Sequence, residues 1–307
     1  MTNAKPEQLS TFEFFKKFPD EESARKYFET NRWGDEPHCS RCGSFNVVEC
    51  KDHKPMPYRC RDCRKHFSVR TGTVLAESRL PLQTWLLAIY LLTSARKGIP
   101  STEMARKLGV TQKTAWFLSQ RIRETWLKIS EDDMGPDVQV DESYIGGKEK
   151  NKHVSKRTGT RTKDKIAVIG IRQTDGEVRA EPIPDTSKRT LHNFVRANAK
   201  EGATVVTDSL RAYRGLNDAY THLTVNHSVG EYVKDQAHTN GIESFWALLK
   251  RGHYGIYHYM SPKHLHRYVD EFAFRHNTSQ VGTLDFISMT IQRMAKKRLT
   301  YRELTRG

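Results

Sequence analysis

The stretch DVQVDESYIGG, residues 137–147, decides how the chain is read. Val138 and Val140 alternate with polar neighbours, the period-two pattern of a half-buried strand, and the alternation closes on the acid Asp141. A second strand, Ala203 to Thr207, also terminates in an acid, Asp208. Working outward, strands are expected over Asp137–Ile145, Ile166–Arg172, Val178–Ile183, Thr204–Thr207 and Leu223–Asn226. Helices are expected over Ser187–Ala199, Gly241–Arg251 and His264–Arg275. Three successive strands, a helix, then two strands separated by a helical segment match the order of an α/β ribonuclease H-like domain with a mixed sheet, over residues 136–280.

That order gives the acids a chemistry. Cleaving a phosphodiester with metal ions needs carboxylates from separate elements converging on one point, and Mg²⁺ wants hard oxygens with several waters retained. Asp141 and Asp208 end two strands, and Glu243 opens the helix of HTNGIESFWALLKRG, residues 238–252. Lys250 lies two helical turns after Glu243 on the same face, within reach of a phosphate, and Asn240 lies one turn before it. Strand alternation points Glu142 to the face opposite Asp141. Asp137, Asp175 and Asp185 fit turns better, and His238 or Asn240 fit a helix cap.

The front of the chain reads differently. Residues 1–35 are a helical lead-in with aromatic residues at helical spacing, among them Phe14, Phe18 and Phe28. Over residues 36–70, Cys39-Ser-Arg-Cys42 and Cys60-Arg-Asp-Cys63 present two pairs of sulfurs for a tetrahedral Zn²⁺ of structural type, with every position filled by thiolate. Cys50 is left as a free thiol. The pairs argue for metal rather than disulfides in a cytosolic chain. Residues 80–130 are helical, and 100–124 read as a helix-turn-helix. There Ser101 caps a helix ending at Gly109 and Thr111 caps a second, which would show Gln112, Lys113, Thr114 and Gln120 to a DNA major groove.

Fifty-one Lys and Arg against thirty-six Asp and Glu give a net charge of +15, which favours a polyanionic partner through counterion release. Some of this charge sits in a basic insert, residues 148–165, where Lys152, Lys156, Arg157 and Arg161 would order on phosphate. More lies in 281–307, expected as a basic helical tail. The longest apolar run, Trp85 to Leu92, is too short to cross a bilayer, and the first residues lack the pattern of a signal peptide. The expected setting is the cytoplasm, with nucleic acid and without a membrane.

At this point the chain resembles the insertion-sequence transposases of the ISXO-like group (the fifteen-ninety-five family) over essentially its whole length. Cys39–Cys63, VDESYIGGK from 140, TDSLRAYRGL from 207 and HTNGIESFWALLKRG from 238 carry the likeness. The resemblance implies cutting at element ends and joining of the 3′-hydroxyl to target DNA, with Asp141 and Asp208 as the two aspartates. It also implies Mg²⁺ or Mn²⁺, terminal repeats and target DNA as double-stranded partners, and assembly as a homodimer or larger on DNA. In that family the third position is Asn, His or Glu, followed by a Lys. Asn240 and Glu243 both compete for it, and Lys250 matches the lysine. Glu243 is preferred, because an amide oxygen brings no charge to offset the divalent ion. A transposase-derived DNA-binding regulator without catalysis is the alternative.

Overall fold

The computed structural model describes residues 6–127, 132–147, 153–156, 165–174, 176–225 and 240–306. The side chains of Lys156 and Asn240 fall outside that description, as do Lys152, Arg157, Arg161 and His238 altogether. The chain forms two compact units, one from the residues up to Leu127 together with Gln280 onward, the other from the intervening residues to Ser279.

The first unit opens with α1 (Thr11–Lys17) and α2 (Glu21–Trp33), each started by a capping box, Ser10 with Glu13 and Asp20 with Ser23. Their apolar faces bury Phe14, Phe18 and Phe28, and Phe14 stacks on Tyr90 at 4.7 Å between ring centroids. A three-stranded antiparallel sheet follows, β1 (Val47–Glu49), β2 (Tyr58–Cys60) and β3 (His66–Phe67). Trp33 meets Tyr58 and Phe67 edge-on, so a very small sheet gains a core from the helix before it.

α3 (Leu82–Ser94) begins after Pro81, which has no side chain to cap it. The Glu21 carboxylate does so instead, accepting from the Leu82 and Gln83 N–H groups at 2.8 and 2.9 Å. α4 (Ser101–Leu108) ends at Gly109 in the left-handed conformation, φ 65°, where glycine is unstrained. α5 (Gln112–Glu124) is capped by Thr111, whose hydroxyl accepts from Thr114 N as the sequence predicts. Two expectations are corrected here. Ser101 is the first helical residue rather than the cap, and its hydroxyl accepts from Gln112 Nε2 at 2.8 Å. Gln120 is wholly buried, because residues 118–123 are covered on every side and the latter half of α5 has no outer face. The last residues form α9 (Thr283–Gln292) and α10 (Tyr301–Thr305). α9 packs against α2 and α3, burying Phe286, Ile287 and Ile291, with Trp126 Nε1 donating to Thr290 at 3.0 Å.

The second unit is a five-stranded mixed sheet in the order β6-β5-β4-β7-β8: β4 (Asp137–Ile145), β5 (Ile166–Gln173), β6 (Val178–Ile183), β7 (Thr204–Asp208) and β8 (Thr221–Val225). β4, β5 and β6 pair antiparallel, whereas β7 runs parallel to β4 and β8 parallel to β7. One face packs Val138, Val140, Ile169 and Ile171 against Leu191, Phe194 and Val195 of α6 (Lys188–Arg196). The other packs Val168 and Val178 against α7 (Asn240–Gly252) and α8 (Leu265–Asn277). With both faces covered, β5 reads as a nearly continuous apolar run. A buried cluster pins the turn after α7 to α8: Glu271 accepts from Arg275 at 2.7 Å and from the Tyr257 hydroxyl at 3.1 Å. No helix among the described residues is long and apolar enough to cross a membrane.

Candidate metal centres

Two sites emerge, one of sulfur and one of oxygen. In the first, the turns before β1 and after β2 bring four thiols together: Cys39 lies 3.7 Å from Cys63 and Cys42 lies 3.6 Å from Cys60, sulfur to sulfur. All four sulfurs fall within 4.8 Å of one another. A tetrahedron with Zn–S bonds of about 2.3 Å has edges of about 3.8 Å, so the cage already has the size of a thiolate zinc site. The Cys63 N–H donates to the Cys60 sulfur at 3.5 Å and holds that thiol down, to about 7, in spite of the opposing effect of burial. Cys50 stands apart from the cage, as expected.

The second site is built on β4. Gln139 and Asp141 share one face of that strand, and Gln139 is the register partner of Val206 on parallel β7. Two residues further along stand Asp141 and Asp208, just past the point where the β4–β7 pairing stops; Asp208 ends β7, but the expectation that Asp141 ends its strand is corrected, because pairing with β5 carries β4 on to Ile145. α7 lies over this face. Its Ile242 N–H donates to Gln139 Oε1 at 3.1 Å, which anchors the start of the helix to the strand. Gly241 permits that approach, since a Cβ there would stand 2.6 Å from Gln139 Oε1. Glu243 is consequently in the first turn of α7 with its side chain exposed, and Lys250 is half-exposed two turns on.

Asp141 is held from one side. The Trp246 indole Nε1–H donates to its Oδ2 at 2.9 Å. The ring reaches across because β5 offers Gly170 as the register partner of Asp141; a Cβ there would meet the indole at 2.9 Å. Burial pushes the Asp141 carboxyl up to about 6, and the negative charges of Asp208 and, more weakly, Glu243 add to the rise. Glu142 points to the α6 face, as alternation predicts. It accepts from the Tyr213 hydroxyl at 2.8 Å, and burial raises it to about 7.

Acids that raise one another's pKa at one spot form a field that a cation relieves, and hard carboxylate oxygens suit Mg²⁺ or Mn²⁺. The donor set therefore fits such an ion, although these acids are not drawn as tight a cage as the cysteines. Among the described residues only the four sulfurs lie mutually within 4.8 Å. Sequence reasoning had singled out Asp141, Asp208, Glu243 and Lys250 but not Trp246, Gly170, Gln139 or Tyr213. A glycine inside an otherwise apolar strand and a Trp one turn after Glu243 were the available signals.

Of the residues expected to face DNA, Gln112 and Lys113 are exposed and Thr114 half-buried at the start of α5. The Lys113 ammonium sits 4.6 Å from the centroid of the Tyr301 ring.

Comparison with known proteins follows the same division. Residues 134–277 match the ISXO2-like transposase domain and residues 19–66 match the transposase zinc-ribbon domain. The chain is 28% identical over 250 residues to an uncharacterized protein in transposable element ISH50 of Halobacterium salinarum, covering 77% of this chain and 84% of that protein. Among solved structures, the Mos1 strand transfer complex aligns over 68% of this chain and 74% of its own, at 13% identity and a TM-score of 0.27, too slight a likeness to bear on the fold. The two matched domains are those of a single family and together span more than half of the residues, so the chain belongs to the IS1595 family of transposases.

Proposed function

We propose that this transposase cuts DNA at the ends of an insertion sequence and joins the freed 3′-hydroxyl to target DNA, using Mg²⁺ or Mn²⁺ held by Asp141, Asp208 and Glu243. The observation that carries the reading is that Asp141, midway along β4, and Asp208, at the end of parallel β7, lie on adjacent strands under the helix that bears Glu243. Three antiparallel strands followed by two parallel ones, in the order found, support a ribonuclease H-like domain.

The metal, when bound, supplies positive charge to the phosphate under attack and lowers the pKa of an attacking water. The chain's own groups do the positioning. Trp246 occupies one oxygen of Asp141 and leaves the other for the ion, while Gln139 fixes where α7 starts and hence where Glu243 stands. Lys250 would hold a phosphate; Asn240 competes with Glu243 for the third ligand position. The charge of +15 and the start of α5, with Gln112 and Lys113 exposed, support DNA recognition by α4 and α5 as a helix-turn-helix. Synapsis of two element ends calls for at least a homodimer on DNA.

The test is incubation of the zinc-loaded protein with Mg²⁺, duplex DNA carrying the element's flanking repeats, and a target plasmid. Joined products support the reading. Binding without cutting sinks it and leaves a DNA-binding regulator; cutting without joining leaves a nuclease.

The role given to Trp246 has its own consequence. Trp246→Phe and Gly170→Ala, the second by crowding the indole off Asp141, should each weaken Mn²⁺ binding about 10-fold, the usual effect of losing an outer-shell partner. Calorimetric titration reads this directly, and equal affinity in both variants would remove Trp246 from the site.

A further inference from the structure

The first unit holds a cavity of about 860 Å³ between the cysteine turns, the segment 68–79 and residues 296–298. Its walls are stitched together by the backbone. Lys296 N donates to Gly72 O at 2.9 Å, and Thr73 and Ala295 form an antiparallel bridge. The half-buried Arg32 guanidinium joins Ser40 to Thr71, at 3.0 and 2.7 Å. This is a built concavity made of three segments far apart in sequence.

Its chemistry is one-sided. Arg41, Arg79, Lys296 and Arg298 line it with exposed side chains. Among the described residues, Arg41, Arg79 and Lys296 have no acidic partner, and Glu77, the one acid of the lining, is already held by Arg298 at 3.1 Å. Ser40, Ser68, Thr71 and Ser78 line the same concavity. The acids of this region gather instead in a neighbouring cavity, around Glu21, Glu22, Glu29 and Glu49.

We propose that this groove seats the sugar–phosphate backbone of duplex DNA, with the C-terminal residues 296–298 forming one wall of a DNA-binding face shared with the zinc ribbon. Cations from three segments around one concavity suit a continuous line of phosphates better than a single small anion, and serine and threonine hydroxyls are the usual companions of such contacts. The contact is independent of base sequence and sets the register in which other elements read the bases. It rests on the DNA-acting reading above and deepens it, since the C-terminal segment becomes part of the binding surface.

The test is fluorescence anisotropy with a labelled random-sequence duplex across a salt series, using the full chain. The variant Arg41→Ala/Arg79→Ala/Lys296→Ala is compared with Lys16→Ala/Lys17→Ala/Lys26→Ala, an equal charge loss on α1 and α2. Zinc content and thermal midpoint establish that both fold. Each phosphate contact contributes about 0.9 to the slope of log K against log salt, so the groove variant should lose about 2 to 3 from that slope. At about 0.1 M salt its affinity should fall at least about 100-fold, while the control keeps the wild-type slope. Equal losses in both variants, or none in the groove variant while wild type binds, overturn the groove and leave the DNA-acting reading intact. Wild type that does not bind duplex at all sinks both. Binding of a single strand at least tenfold tighter than duplex, lost in the groove variant, overturns duplex DNA as the occupant.

Discussion

Replacing Asp141 by Asn should abolish Mg²⁺-dependent cleavage, by about 10³-fold or more, and at the same time stabilise the metal-free protein at neutral pH. The first effect follows from removing a charged ligand where the ion's charge is needed. The second follows from electrostatics. The Asp141 carboxyl is raised to about 6 by burial and by Asp208 and Glu243, so at neutral pH the folded protein carries an unfavourable buried charge. The stability tied to its proton is fully present below about 4, the unfolded value, and is lost as pH rises through about 6. Asn removes that loss without removing the acceptor for Trp246. A gain of about 1 to 3 kcal/mol at pH 7 is expected, since one pKa unit corresponds to about 1.4 kcal/mol. It should vanish below about pH 4 and shrink when Mg²⁺ is added to both proteins. Thermal melts at several pH values with and without Mg²⁺ measure it. A variant that is inactive and also less stable at pH 7 without metal would mean that Asp141 serves the fold rather than an ion.

Stripping zinc should collapse the ribbon while sparing the five-stranded sheet. The strands β1, β2 and β3 are only two or three residues long, and two of the cage cysteines, Cys39 and Cys60, are buried. Binding to such a thiolate cage supplies on the order of 10 kcal/mol of folding free energy, more than a sheet of this size obtains from Trp33, Tyr58 and Phe67. A strong chelator, or Cys60→Ser, should therefore release one zinc per chain and expose the ribbon to proteolysis. The five-stranded sheet of the second unit should keep its own thermal transition. Acidification should release the ion as well, because only the deprotonated thiolate binds it and protons compete for the sulfur. A ribbon that resists protease with no zinc bound would contradict this account.

How far the sequence carries can be judged residue by residue. β4 and β6 begin and end where alternation and β-propensity place them, because both strands are flanked by polar turns. β8 begins two residues earlier than expected, at Thr221, because its pairing with β7 recruits a polar start that alternation alone does not reveal. Asp208 was legible as a strand-end acid, whereas Asp141 sits midway along β4 because β5 extends the pairing to Ile145; that the two acids belong to neighbouring strands depends on the parallel pairing of β4 and β7, which no local pattern encodes. Trp246 reads in sequence as one more core residue, and only the fold sets its N–H against Asp141. Gln120 was misread for a related reason. On a helix with one covered face it would point outward, but the latter half of α5 is enclosed, and enclosure is a tertiary property.

The return of α9 to the first unit has a consequence for synthesis. A ribosome delivers α2 and α3 early, but Phe286, Ile287 and Ile291, which those helices bury, arrive only after the whole second unit has been made. Until then the nascent front of the molecule carries an uncovered apolar surface, whereas residues 132–279 can close upon themselves as they emerge. The core of the first unit is thus completed last although its helices are made first, and a message broken near codon 280 would leave α2 and α3 without the side chains that cover them.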